Sequence, residues 1–576
     1  MLGTWNGLGQ RLTEEKILHA VDTLAANNIN ITNLIIDDNW QSIDTPPGTQ
    51  NQFQQGWIEF EAERTAFPHG LKHFVTNLRK KNKNLQHIAV WHALLGYWAG
   101  ISPTGEIARK YKTVEVVRED AERRNLPMGG KMTVVAAEDA GRFYNDFYSF
   151  LSDCGIDAVK TDAQFMLDTL VSASARALLT PAYLNAWTIA SLRHFSIKAI
   201  SCMSQTPAII FRSQLPPNRP PILVRNSDDF FPSIPSSHPW HVFTNACNAL
   251  LTQHLNALAD WDMFQTAHAY SHFHAAARCV SGGPVYITDV PGEHDLALLR
   301  AMTAPSPHGR TLILRPSVPG KSIAPYQAYT DPALLKISTY HGAAVTGTGI
   351  LGLFNVSARP LAELLHLSLF PGVVEAQPYV VRSHASGRVT RPLQLVDSSL
   401  DALIYVTLDV RGCDILSAFP LRGFVRADEQ DTLWVASLGL LGKMTGAAAV
   451  VSSSLTLEEN GRVEVVVSLK ALGVWGTYPS LPFPIFPSLP LPLPKLPDVA
   501  DSRHDELTPT PQASTSPRSP PSAPPPPSSS RSAARPSPSP PWRRARTASA
   551  CSRSTSRPRG RAWGCGPDGA TRSRCG

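Results

Sequence analysis

Within roughly the first 310 residues, short apolar runs of strand length keep closing on a polar or acidic side chain. The runs are 33–38 (NLIIDD), 87–92 (HIAVWH), 157–162 (DAVKTD), 199–203 (AISCM), 222–228 (ILVRNSD) and 284–289 (PVYITD), with one more expected just before Trp261. They are continuously apolar rather than alternating, which is the pattern of strands buried on both faces of a parallel sheet. Amphipathic stretches separate them, such as 13–27, where Ile17, Val21 and Leu24 share one face and Glu14 and Glu15 follow Thr13 at the start. Strand and helix alternating in this way define an α/β fold. Asp37, Asp38, His92, Asp162, Asp228 and Asp289 all sit where a run ends. In a (β/α)8 TIM barrel the functional groups project from the C-terminal ends of several strands. An open doubly wound sheet would rely on a Gly-rich phosphate loop, and none is present. Residues 1–311 are therefore expected to form a (β/α)8 barrel. MLGTWN would be the remnant of its first strand, an N-terminal truncation expected to leave two sheet edges open.

Near Leu312 the texture changes to short β-rich runs punctuated by Gly, Pro and Asp: TLILRPSV, LLKISTYH, GILGLFNVS, PYVVRSH, ALIYVTLDV, TLWVASL, AAAVVSSSLTL and RVEVVVSL. Residues 312–476 are expected to be an antiparallel β-sandwich. Residues 477–576 hold 23 of the 50 prolines among Ser and Arg runs, and cannot bury enough apolar surface to offset chain entropy. They read as a disordered tail, either an interaction segment or translated non-coding sequence. The tail carries 14 Lys+Arg against 5 Asp+Glu, a net of +9, so the first 476 residues are net −2 within a whole-chain charge of +7. The basic character thus belongs to the tail, which argues against a nucleic-acid partner for the folded part. Cys154, Cys202, Cys247, Cys279 and Cys413 lack the spacing of a disulfide framework or a zinc site, as do Cys551, Cys565 and Cys575. With no basic n-region and apolar h-region at the start, and no apolar run long enough for a membrane span, the expected location is cytoplasmic and no membrane partner is expected.

Three motifs carry chemistry. In Lys160-Thr161-Asp162 the lysine and the aspartate point to the same side of a strand, and the cation would favour an ionised carboxylate, as a nucleophile needs; a structural ion pair is the competing reading. In Arg225-Asn226-Ser227-Asp228-Asp229-Phe230-Phe231, two acids precede an aromatic pair, and burial against it would raise a carboxyl toward general-acid duty. Adjacent side chains on a strand diverge, so only one of Asp228 and Asp229 should face a substrate unless the strand has ended. Together the motifs supply the two carboxyl groups that glycoside cleavage requires, two strands apart at one barrel face. The third motif, Asp37-Asp38-Asn39-Trp40, suits sugar hydroxyls better than a metal, because the further oxygen ligands of a calcium loop are missing. Trp5, Trp40, Trp91 and Trp98 also lie near strand ends. His241, His254, His268, His272 and His274 are dense, but lack the intervening Glu of a zinc helix, and read as helix-surface or supporting residues. No metal or cofactor is expected.

LIIDDNWQS, VWHALLGYWAG, GIDAVKTDAQ, RNSDDFFP, DWDMFQTAH, HAAARCVSGGP and YITDVPGEHD together resemble the raffinose synthase/seed imbibition protein branch of glycoside hydrolase family 36, from Thr4 to about Gly476. The resemblance implies a retaining α-galactosidase or galactosyltransferase acting by double displacement on raffinose-type α-galactosides, with galactinol and sucrose as partner substrates. It implies Asp162 as nucleophile and, through the Arg-x-x-x-Asp spacing from Arg225, Asp229 as acid/base, with Asp228 as the alternative. Asp37 and Asp38 would hold galactosyl hydroxyls, Trp5 and Trp91 would line the sugar subsite, and Lys160 and Arg225 would contact hydroxyls or orient the acids. Members of that branch carry a large β-domain before the barrel, which has no counterpart here; a non-catalytic sugar-binding remnant is the alternative reading.

Overall fold

The computed structural model describes residues 1–480, apart from 46–50, 121–125, 214–220, 344–345, 396–401, 426–431 and 459–461. Seven short strands pair in parallel and in chain order: β1 (Leu2–Gly3), β2 (Asn33–Ile36), β3 (His87–Ala93), β4 (Ala158–Asp162), β5 (Ala199–Ser201), β6 (Ile222–Arg225) and β7 (Ala257–Asp260). Every neighbour pair is parallel, as the uninterrupted apolar runs require. The sheet then curls back on itself. Ile287 bridges Leu2 on one side and Phe264 on the other. The Gly3 N–H donates to the Ile287 carbonyl at 2.9 Å, the Ile287 N–H to that of Met1 at 3.1 Å, and the Thr288 N–H to that of Phe264 at 3.0 Å. The expectation of two open edges is thus corrected: two residues of β1 are enough, because both flanks are paired. The run 284–289 is not a regular strand, since among its residues only Ile287 bridges, and Pro284 has no N–H to extend the ladder.

Helices cover the sheet. The first, Glu14–Ala26, is capped by the Thr13 side chain, which accepts the Lys16 N–H at 3.3 Å, and it buries Ile17, Ala20, Val21 and Leu24. Burial of Ile17, Val21 and Leu24 contributes about 1.5–3 kcal/mol each. The longest, Ala173–Phe195, packs on Ala140–Asp153 through Tyr183 and Tyr144, whose rings meet edge to face.

Two hairpins not expected from the sequence rise beyond the strand ends: Gln41–Ile43 with Trp57–Ala62 after β2, and Thr113–Arg118 with Gly130–Val135 after β3. They are sewn together by Asn51 Nδ2 donating to the Pro127 carbonyl at 3.0 Å and Gln54 Nε2 to that of Gly129 at 3.2 Å.

Beyond residue 312 the strands are antiparallel. A six-stranded sheet runs Lys321–Ser322, Leu335–His341, Thr348–Phe354, Cys413–Pro420, Pro378–Ser383, Leu393–Gln394. Each β-like run read from the sequence contains a strand, while Cys413–Pro420 and Leu361–His366 were not anticipated. The barrel and this region share a core, in which Phe273 meets Phe354 edge-on at 5.3 Å and Ile337 and Ile350 are buried against barrel helices. Trp475–Ser480 pairs with Thr432–Leu440, so the last described strand crosses residue 476. The tail from 481 onward, with Cys551, Cys565 and Cys575, lies outside the described residues. The five cysteines of the described part are free thiols. Among the described residues, no helix is long and apolar enough to cross a membrane.

Candidate active site

The C-terminal ends of β1 to β6 open into one cavity of about 340 Å³, lined by Trp5, Asp37, Asp38, Trp91, Lys160, Asp162, Asp228 and Asp229 together with Gln52, Phe53, Trp98, Leu126, Met203 and Phe231. Every site residue expected from the sequence is therefore gathered here except Arg225, which lies directly behind the wall. The backbone is strained where it leaves the strands: Asn6, Asn39, Ala163, Met203 and Asp262 have φ between 47° and 78°. Left-handed non-glycine residues cost about 1–3 kcal/mol each and persist where surrounding structure fixes them, a pattern common at functional sites.

Asp162 is the last residue of β4 and is buried. Its Oδ2 accepts the Trp91 indole N–H at 2.9 Å and its Oδ1 the Ala163 N–H at 2.6 Å. Burial opposes its ionisation, but Lys160, the Trp91 N–H, Arg225 and the Ala163 amide outweigh it and hold the carboxyl below its ordinary value. The ion pair of Lys160 is made elsewhere: its Nζ lies 2.7 Å from Asp37 Oδ2, with both side chains almost wholly buried. One cation thus neutralises Asp37 by contact and supports Asp162 through space. Next to Asp37, Asp38 accepts the Trp98 indole N–H at 2.9 Å, yet burial and the Asp37 charge push it up to about 7.

Strand β6 ends at Arg225, so the alternation argument no longer separates Asp228 from Asp229, and both line the cavity. They differ in surroundings. Asp228 is exposed, whereas Asp229 Oδ1 accepts from Arg225 at 2.8 Å. Burial raises Asp229 against the pull of Arg225, and the Asp162 charge adds to the rise. The two candidate catalytic carboxyls are therefore displaced in opposite directions within one cavity.

Arg225 is held from behind by residues the sequence reading did not single out. Its second terminal nitrogen lies 2.7 Å from Asp262 Oδ1 and 3.2 Å from the Tyr286 hydroxyl, and its Nε is 3.7 Å from Asp260 Oδ2. The signal was available as Asp260-Trp261-Asp262 after an apolar run. Outer-wall residues Gln52, Phe53 and Leu126 were invisible because they sit on or beside the unanticipated hairpins. The histidines divide between the surface and supporting positions behind the site. His254 and His272 are exposed, but His238, His241 and His274 are buried beneath Phe230. His238 bonds His274 at 2.8 Å, and Arg278 bonds His274 and His241 at 2.8 and 2.9 Å. Burial, then the nearby cations, keeps His241 and His274 far below the usual histidine value. Among the described residues no group of three or more His, Cys, Asp or Glu is placed to hold a metal ion. Asp289 also closes an apolar run, but turns to Thr266 and His294 outside the cavity.

A family model described as raffinose synthase or seed imbibition protein Sip1 matches residues 2–360. The chain is 28% identical over 524 residues to probable galactinol–sucrose galactosyltransferase 6 of Arabidopsis thaliana, covering 83% of this chain and 66% of that protein. It is 28% identical over 341 residues to galactinol–sucrose galactosyltransferase of Pisum sativum, covering 52% of this chain and 42% of that one. It therefore spans less than two thirds of the length of these relatives. Among solved structures, a GH27 β-L-arabinopyranosidase from Geobacillus stearothermophilus aligns with a TM-score of 0.49 at 13% identity, over 72% of this chain and 95% of that one. By the family match, which spans most of the barrel and reaches into the first antiparallel strands, this chain belongs to the raffinose synthase or seed imbibition protein Sip1 family.

Proposed function

We propose that the barrel transfers an α-galactosyl unit by double displacement, with Asp162 as nucleophile and Asp229 as acid/base. The observation that carries this reading is the contrast between two carboxyls lining the same cavity. Asp162 is kept ionised by Lys160 and two N–H donors, while Asp229 is kept proton-rich by burial beside Arg225. Environments that push two carboxyls apart assign them to different roles. Asp162 attacks the anomeric carbon as Asp229 gives its proton to the departing glycosidic oxygen, leaving a galactosyl ester on Asp162 and an ionised Asp229. Asp229 then takes the proton of an incoming hydroxyl, whose oxygen attacks the anomeric carbon and frees Asp162. Anomeric configuration is retained.

Asp37 and Asp38 would take galactosyl hydroxyls, and Trp5 and Trp91 would cover the C–H face of the ring. The names of the relatives point to galactinol as donor and sucrose as acceptor; raffinose-type α-galactosides are the substrate class, and hydrolysis uses the same two carboxyls with water as acceptor. In the same reading, the antiparallel sheets after residue 312 form a β-sandwich domain supporting a catalytic barrel of 1–311. Incubation with galactinol plus sucrose, and separately with raffinose, followed by sugar analysis, tests the activity. Asp162→Asn should abolish turnover of an aryl α-galactoside, and wild-type rates in that variant would overturn the nucleophile assignment.

A further inference from the structure

We infer that Asp262 is a positioning residue for the acid/base: by gripping Arg225 and the backbone that follows Asp229 at once, it sets how tightly Asp229 holds its proton. The inference rests on the proposed role of Asp229. Asp262 follows β7 and lies two residues beyond Asp260, held with φ of 70°. Its side chain is fully buried and does not line the cavity, so it acts through other groups and not on the sugar.

Its two oxygens have separate duties. Oδ1 accepts from Arg225 at 2.7 Å and from the Tyr286 hydroxyl at 3.3 Å. Oδ2 accepts the N–H of Phe230, the residue next to Asp229, at 2.7 Å. The backbone of Asp262 is fixed in turn, its N–H donating to Asp260 Oδ1 at 2.9 Å and its carbonyl accepting from Arg278 Nε at 3.2 Å. One carboxylate therefore holds both the guanidinium that touches Asp229 and the peptide that aims it.

The charged and titratable groups around this pair and Asp229 are Arg225, Asp229, Asp260, Cys202, Tyr286, Arg278, Lys160, Asp162 and Asp37, with His241 bonded to the far side of Arg278. Arg225 faces three carboxylates, with Asp229 and Asp262 in contact and Asp260 slightly farther. While Asp262 is ionised, much of the guanidinium charge is already neutralised, and Asp229 feels less of it. If the Asp262 charge is removed, Arg225 acts on Asp229 without competition and a nearby anion is lost. Both changes make Asp229 release its proton at lower pH. An opposite charge in contact is worth about 1–3 pKa units, so redistributing part of it should move Asp229 by about one unit.

The test compares wild type with Asp262→Asn. The alkaline limb of kcat/KM for raffinose should move about one pH unit lower, and above both limbs the rate should fall about tenfold. A dinitrophenyl α-galactoside, whose leaving group departs without a proton, should lose much less. Equal losses on both substrates with an unmoved limb would mean a merely structural role and overturn the proposal.

Carbodiimide labelling of the Asp229 peptide against pH, read by mass spectrometry, needs no turnover. A wild type that turns over neither substrate would sink the galactosyl-transfer reading, while the labelling midpoint would still decide the role of Asp262. Should Asp262→Asn show no cooperative thermal transition, Tyr286→Phe keeps the Phe230 bond and weakens the hold on Asp262 and Arg225. Its labelling midpoint should move in the same direction by a smaller amount, and an unmoved midpoint overturns the proposal.

Discussion

Replacing Lys160 with methionine keeps an unbranched apolar stem, one atom shorter, and removes one buried charge with two clients. Its Nζ is 2.7 Å from Asp37 Oδ2, and the two side chains are 3% and 4% exposed. Deleting one partner of a buried pair leaves the other charge uncompensated, which costs about 3–5 kcal/mol. Lys160→Met should therefore lower the unfolding free energy by about that much in urea titrations followed by tryptophan fluorescence. Asp37→Asn alone should also destabilise, because it strands the lysine. The double variant should fall well short of the sum, since it leaves no orphaned ion. The second client is Asp162, whose carboxyl lies below its ordinary value although burial opposes this, with Lys160 the largest of the groups holding it down. A carboxyl depressed in the folded state contributes stability above its unfolded pKa and loses it as pH falls through the folded value. In Lys160→Met that depression shrinks or reverses, so the acidic limb of kcat/KM should move to higher pH by about 1–2 units. Stability within about 1 kcal/mol of wild type, together with an unmoved acidic limb, would refute Lys160 as the shared counter-ion.

Asp38 is pushed up to about 7 by burial, so its contribution to stability is present below the ordinary carboxylate range and is lost as pH rises toward 7. Asp38→Asn should then stabilise the fold at pH 8 by up to about 4 kcal/mol in thermal or chemical denaturation, while raising KM for α-galactosides about tenfold or more. Trp91→Phe removes the 2.9 Å bond to Asp162. Hydrogen bonds to charged groups are worth about 1.5–3 kcal/mol, so kcat should fall about 10- to 100-fold, and the melting temperature should drop as well because the buried indole is also lost. Arg118 is buried and donates to the carbonyls of Trp98 and Phe53, and burial pulls it down to about 10. Arg118→Met should leave both carbonyls unpaired, cost about 2–6 kcal/mol, and raise KM because Trp98 no longer holds Asp38.

The barrel was legible because its strands are short, continuously apolar runs, most of them finished by a polar residue, and because the motifs at those ends resemble a known family. Glu14–Ala26 was legible from the helical spacing of its apolar residues, with Thr13 as its cap. The inserted hairpins were not, because Gln41–Ile43 is three residues long and Gly130–Val135 carries lysine and threonine among its apolar residues, so neither resembles a buried strand. Cys413–Pro420 was missed although it is central in its sheet: its run CDILSAFP carries an aspartate at its second position that the fold uses, since Asp414 accepts from Ser383 Oγ at 2.6 Å. The site divides in the same way. Asp162 and Asp229 stand in motifs dense enough to notice, whereas the partners that decide their behaviour come from distant segments. Trp91 reaches Asp162 across 71 residues, and Lys160 reaches Asp37 across 123. Spacing along the chain correctly placed Lys160 on the same face as Asp162, but could not show that its contact is with Asp37.

Among the described residues around this cavity, the carboxyls of Asp37, Asp38, Asp162, Asp228, Asp229, Asp260 and Asp262 outnumber the cations near them, Lys160 and Arg225 in contact and Arg278 behind Asp260 and Asp262. These carboxyls cannot all ionise against so few positive charges in a largely buried space, and a sugar brings hydroxyl dipoles but no charge to correct the excess. Protons must supply the difference, and they collect where burial is least compensated, on Asp38 and Asp229, while Asp262, raised by burial to about 6, is ionised above that in its contact with Arg225. Arg225 is withheld from the cavity itself, its guanidinium turned toward Asp262, Tyr286 and the inner oxygen of Asp229. On the proposed reading, the face left toward the sugar is therefore weakly acidic, carries an ionised Asp162 and keeps a proton store at Asp229. Glycosyl transfer passes through an oxocarbenium-like state with positive charge at the anomeric carbon. A cation aimed at that carbon would oppose it; a fixed carboxylate beside it, with the arginine held behind the wall, favours it without any rearrangement at the moment of reaction.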